Sequence, residues 1–164
     1  MMPELHRPLP VERIGPQGLS FSIEASAAEL APIADRLRLL AIKRLTCMFD
    51  LRRVGATTII AQGTLRAQVT EMCVVTLDSF DHAVHETFAV HFVPSGTETD
   101  DPEPDDVDQV PIVGSTIDLG EALVEQLALS LDPYPRKPGA SMPAGYGEAA
   151  AGPFGALLAL RRPD

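Results

Sequence analysis

Two cysteines and four histidines are the residues of this chain that could hold a metal or supply a nucleophile, and their spacing decides what they can do. Cys73 opens the stretch CVVTL, residues 73–77, in which Thr76 stands where a C-x-x-C pair would place its second sulfur. Zinc takes four convergent Cys or His ligands. On a strand, His85 and His91 share one face about 20 Å apart while His82 lies on the other, so the histidines do not complete a site. A thiol nucleophile needs a neighbouring base and an electropositive setting. Cys73 instead lies in a span without Lys or Arg, which predicts a raised thiol pKa. Cys73 and Cys47 therefore read as small buried hydrophobes. The chain has no GxGxxG, P-loop, GxSxG or HExxH motif. It reads as a binding or assembly protein with no catalytic residue, metal or cofactor.

Charge divides the chain into three. Residues 1–66 carry nine Lys/Arg against six Asp/Glu, residues 67–135 carry fifteen acids and no Lys or Arg, and residues 136–164 carry four basic residues against two acids. Seven of the acids lie in ETDDPEPDDVD, residues 98–108, which reads as a solvated, disordered loop. The acidic middle repels phosphates and suits a basic protein partner through Asp100, Asp101, Asp105, Asp106 and Asp108. Six Phe, two Tyr and no Trp make a poor base-stacking platform. The first ten residues, MMPELHRPLP, lack the apolar core of a signal peptide, and no run approaches the roughly 18 apolar residues of a membrane span. The expected setting is the cytoplasm, with both thiols reduced and neither membrane nor DNA as partner.

The elements that must position these residues follow from periodicity. Residues 1–18 read as an irregular lead-in. Residues 19–25 alternate as a short strand. Ser26 and Glu29 form a capping box for a helix whose apolar stripe is Leu30, Ile33, Ala34, Leu37 and Leu40. Three longer alternating runs follow, at 44–52, 57–71 and 80–93, which predict antiparallel strands with one face on a core and one in water. Gly55 suits a hairpin turn, and Gly63 suggests a bulge within the second long strand. Asp118 caps a helix with a ladder of Leu119, Leu123, Leu127 and Leu131, stopped by Pro133. Residues 133–152 read as flexible, and PFGALLALRR, residues 153–162, as a short helix opened by Pro153. The fold class is α+β, a curled antiparallel sheet of about four to six strands packed with two main helices. One domain spans 19–162, with the acidic loop at 95–110.

The order of GTLRAQVTEMCVVTL, FAVHF, the acidic spacer, IDLGEALVEQLALSLDPYPRKPG and PFGALLAL resembles the YceD-like family of large ribosomal RNA subunit accumulation proteins. The matching positions are Gly63, Leu65, Ala67, Val69 and Cys73 in the strand, and Asp118, Leu119, Glu125, Leu127, Leu129, Leu131 and Pro133 in the helix. Many members read C-x-x-C-L; here Thr76 replaces the second cysteine and Leu77 is retained. The resemblance implies a role in synthesis, processing or accumulation of large-subunit ribosomal RNA and in ribosome assembly. It implies a structural part for Gly63, Cys73, Leu77, Asp118, Glu125 and Pro133. The partner is then a ribosomal protein or the RNA itself, with charge favouring the protein. For RNA the candidate residues are Arg44, Arg52 and Arg66, which alternation places on one sheet. The contrasting reading is a metal- or thiol-dependent RNA-processing enzyme.

Overall fold

The computed structural model describes residues 3–97 and 108–142. Its strands are β1 (Pro8–Pro10), β2 (Leu19–Glu24), β3 (Ala41–Val54), β4 (Thr58–Met72), β5 (Ser79–Pro94), β6 (Asp108–Ile112) and β7 (Thr116–Asp118). Helix α1 (Ala27–Leu37) follows β2, and α2 (Leu119–Ser130) follows β7. A five-stranded sheet runs β2-β3-β4-β5-β6, and β1 pairs with β7 in a small second sheet. The α+β class and the strand number agree with the sequence. The disordered reading of 98–107, the flexible reading beyond 142 and the helix at 153–162 lie outside the described residues.

Alternation explains the main sheet. In β4, every second residue from Ile59 to Glu71 is buried and those between are wholly or partly accessible. Leu45, Cys47, Phe49 and Leu51 of β3 join the same layer, with Val84, Val90 and Phe92 of β5. Ile33 and Ala34 of α1 and Leu119, Leu123, Val124 and Leu127 of α2 complete one continuous core. The arrangement is two layers, with both helices on one sheet face.

Five features differ from expectation. β5 and β6 pair in parallel, Val90 opposite Asp108 and Pro94 opposite Ile112, so the sheet is mixed. A parallel neighbour requires a return of about a dozen residues, and the acidic segment occupies that return. Its last residues, Asp108–Val110, are strand rather than loop. Gly63 marks no bulge: pairing runs through it without interruption, and the register shift of β3 falls between Ile42 and Arg44. A Cβ on Gly63 would lie 2.3 Å from Phe88 Cζ, so the glycine makes room for that ring. Phe88 meets Phe49 edge to face at 5.7 Å, each directly opposite Gly63 in register. Helix α1 stops at Leu37 because Arg38 turns left-handed (φ 57°), which leaves Leu40 exposed rather than on the apolar stripe.

The fifth difference is the lead-in. Leu5, Leu9 and Ile14 are buried, and the Leu119 N–H donates to the Arg7 carbonyl. A Cβ on Gly120 would fall 2.2 Å from the Leu5 carbonyl oxygen, so only glycine admits this close passage. Arg7 forks onto Glu29 at 2.8 and 3.0 Å, and Arg36 bonds Glu4 and Glu121. The segment is a strap across both helices. Periodicity missed it because three residues of strand carry no pattern.

Candidate functional site

The capping residues behave as their types require. Glu29 accepts from the Ser26 N–H at 2.8 Å, and the Arg7 guanidinium with these Ser26 bonds holds its carboxyl down at about 2. Asp118 accepts from the Gly120 and Glu121 N–H groups and also from the Arg7 N–H at 2.9 Å. Glu125 lies on α2, its carboxyl raised by burial and by neighbouring Glu121. Pro133 follows α2 and lines a groove at its end.

Cys73 sits at the end of β4 in a tight turn. Its N–H donates to the Asp78 carbonyl, and the Leu77 N–H returns to the Cys73 carbonyl at 2.9 Å. Leu77 takes a left-handed conformation (φ 60°) that a branched side chain seldom adopts, so the turn is imposed by its surroundings. Both cysteines are buried, as expected of small hydrophobes. Their thiols differ. Burial pushes the Cys47 thiol up to about 12. Hydrogen bonding from the Thr76 side chain, with the backbone N–H groups of Lys137, Thr76 and Val75, draws Cys73 down to about 7 against the opposing effect of burial. The expected rise from acidic neighbours is thereby corrected: local donors outweigh distant charge. Thr76, at the place of the missing sulfur, is one of those donors. Among the described residues no three His, Cys, Asp or Glu side chains are grouped to hold a metal.

The sheet face opposite the helices is open. Across it run three in-register rows: Ser22, Met48, Thr64 and Thr87; then Glu24, Thr46, Arg66 and His85; then Arg44, Gln68 and Ala83. Arg44, Thr46, Arg66, Gln68, Ala83 and His85 line one shallow groove of about 400 Å³. Arg44 reaches Glu24 at 3.3 Å, an exposed and weakly held pair. Arg66 has no side-chain partner among the described residues. Arg52 lies further along β3, bonded to Gln62 at 3.4 Å. The structure thus groups Arg44 with Arg66 and leaves Arg52 on the same face in a neighbouring hollow. Of the five aspartates named for a basic partner, Asp108 starts β6 and accepts from Gln126 Nε2 at 2.8 Å. Asp100, Asp101, Asp105 and Asp106 lie outside the described residues.

The model of the family described as large ribosomal RNA subunit accumulation protein YceD matches residues 61–152, more than half of the chain. The chain belongs to the YceD family. The matched span opens in β4 and includes Gly63, Cys73, Leu77, Asp118, Glu125 and Pro133. It includes Arg66 but neither Arg44 nor Arg52. No curated protein and no solved structure matches this YceD chain. Membership connects it with accumulation of large-subunit ribosomal RNA. None of its described helices is long and apolar enough to cross a membrane.

Sequence reasoning also missed a carboxylate within the covered layer. Glu71 is buried and bonded to His82, whose ring stacks on Phe80 at 5.5 Å. The signal was available: an acid at an inward position of a strand requires a partner.

Proposed function

We propose that this YceD protein supports large-subunit ribosomal RNA accumulation as a non-catalytic binding factor, meeting RNA phosphates through the open sheet face. The observation that carries the reading is the groove in which Arg44 and Arg66 stand together, with Arg66 free of any carboxylate among the described residues. A planar guanidinium suits phosphate oxygens. The acidic excess argues less strongly for a protein partner than it does in the bare sequence. Lys43 holds Asp81, Lys137 stands 3.6 Å from Asp78 and Arg36 holds Glu121. Those acids are locally compensated, so their repulsion of a polyanion is short-ranged.

The test is binding of purified protein to large-subunit RNA fragments across a salt series. Affinity should fall linearly on logarithmic axes, and replacing Arg44, Arg52 and Arg66 by alanine should flatten the slope by about one ion for each arginine that meets a phosphate. Equal binding by the triple variant overturns the reading. If the aspartate variant Asp100, Asp101, Asp105, Asp106 and Asp108→Asn instead loses a basic ribosomal protein, the partner is that protein.

A further inference from the structure

The ends of α1, β4 and α2 leave a groove of about 520 Å³ whose apolar lining, Leu37, Leu40, Met72 and Leu131 with two prolines, is edged by Arg38, Glu71 and Asp132. Leu40 is 53% and Met72 47% exposed, unusual for large hydrophobes at element ends that meet over a common hollow. The groove lies off the arginine face and borders the cysteine turn, where the Val74 N–H meets Pro135. We propose that it is the docking site for the chain's own segment 153–162, PFGALLALRR.

Three observations favour this occupant over a second copy or a foreign peptide. The first is reach. The Val74 N–H donates to the Pro135 carbonyl, which holds the outgoing chain at the rim, and a turn closed by Ala140 N–H on the Lys137 carbonyl reverses it before Met142. The ten residues 143–152 can extend about 33 Å, so the segment can return to where the chain left. The second is pattern. Phe154, Leu157 and Leu158 recur at helical spacing, giving one apolar stripe on a stretch of ten residues. A helix that short is marginal alone and gains its order by burying such a stripe. The third is charge. Two carboxylates, Glu71 and Asp132, line the groove against the cation Arg38, and Asp132 offers a partner to Arg161 or Arg162, which follow the apolar residues directly. Tethering favours the intramolecular occupant further, since a linker of ten residues gives an effective concentration in the millimolar range.

The chain contains no tryptophan, so Phe154→Trp in the full-length protein creates a single reporter. Its emission should lie to the blue of the urea-unfolded chain, with iodide quenching reduced several-fold at every protein concentration. Leu40→Asp in the groove should return both readings to solvent values. Leu158→Asp should do the same without altering any residue of the groove, which keeps the test sound should Leu40→Asp fail to fold. Solvent-like emission in the parent reporter protein overturns the proposal. So does blue emission that develops only as concentration rises, which would seat a second copy. Blue emission indifferent to both substitutions places the segment elsewhere and overturns it too.

Discussion

The two faces of the five-stranded sheet come from the same strands and differ by one step of register, yet they do opposite things. On the covered face, Leu45, Phe49, Leu65 and Phe92 are buried beneath two helices and the inward glycine is filled by a neighbour's ring. On the open face, Arg44, Arg66, Gln68 and His85 lie around a shallow hollow with few mutual bonds. Packing has fixed the first face, and water keeps the second adjustable. Stability should therefore reside on one side of each strand and recognition on the other.

The largest effect expected is from Phe49→Ala, which should cost about 3–5 kcal/mol in urea unfolding, whereas its open-face neighbour Met48→Ala should change stability by about 0.5 kcal/mol or less. Comparable losses at the two sites would break the contrast. Next is Gly63→Ala, whose Cβ must displace the Phe88 ring and should cost about 1–3 kcal/mol. Combined with Phe88→Ala the cost should shrink, and a strictly additive double variant would show that the ring is not what the glycine accommodates.

A smaller effect separates the two buried thiols. In ultraviolet titration of the folded protein, Cys73 should ionise near 7 and Cys47 only towards 12, with Cys73→Ala removing the first step. An unfolded thiol titrates near 8.5. Cys73, depressed in the fold, contributes stability that is present above that value and is lost as pH falls through about 7. Cys47, raised in the fold, contributes stability that is present below about 8.5 and is lost as pH rises towards about 12. Opposite slopes for the two alanine variants check this. Bulky thiol reagents should still label native Cys73 slowly, since it is inaccessible.

The smallest effect on stability should come from Arg44, Arg52 and Arg66→Ala. The melting temperature should move by no more than a few degrees while RNA affinity loses much of its salt dependence. A cooperative collapse would mean that the open face also carries the fold.

How much of this was legible in the chain depends on the range over which a residue's role is decided. Parity along 57–71 is local, and it correctly divided Leu65 and Val69 from Arg66 and Gln68. The caps at Ser26 and Asp118 are local too, fixed by side-chain oxygens within reach of nearby N–H groups. Strand direction is not local, so the parallel pairing of β6 could not be read from alternation. The end of α1 escaped because Arg38 assumes a conformation that its type does not announce. At Cys73 the charge of the surrounding sequence misled, since the donors that set its acidity include Lys137, far along the chain. Arg44 and Arg66 sit in adjacent rows of the hairpin, opposite Gln68 and Thr46, so alternation places them on one face while their common groove follows from the register.

The strap formed by residues 5–10 gives the chain a timetable. Arg7 finds its partner Asp118 across 111 positions, and Leu9 pairs with Ile117. At synthesis rates of about 5–20 residues per second, roughly five to twenty seconds separate the appearance of the two. During that interval β2, α1, β3 and β4 can already pair, while Leu5 and Leu9 await the helix that will cover them. Maturation of the fold is thus coupled to completion of α2, and a nascent chain halted before residue 119 would present its apolar strap to whatever surface lay nearby.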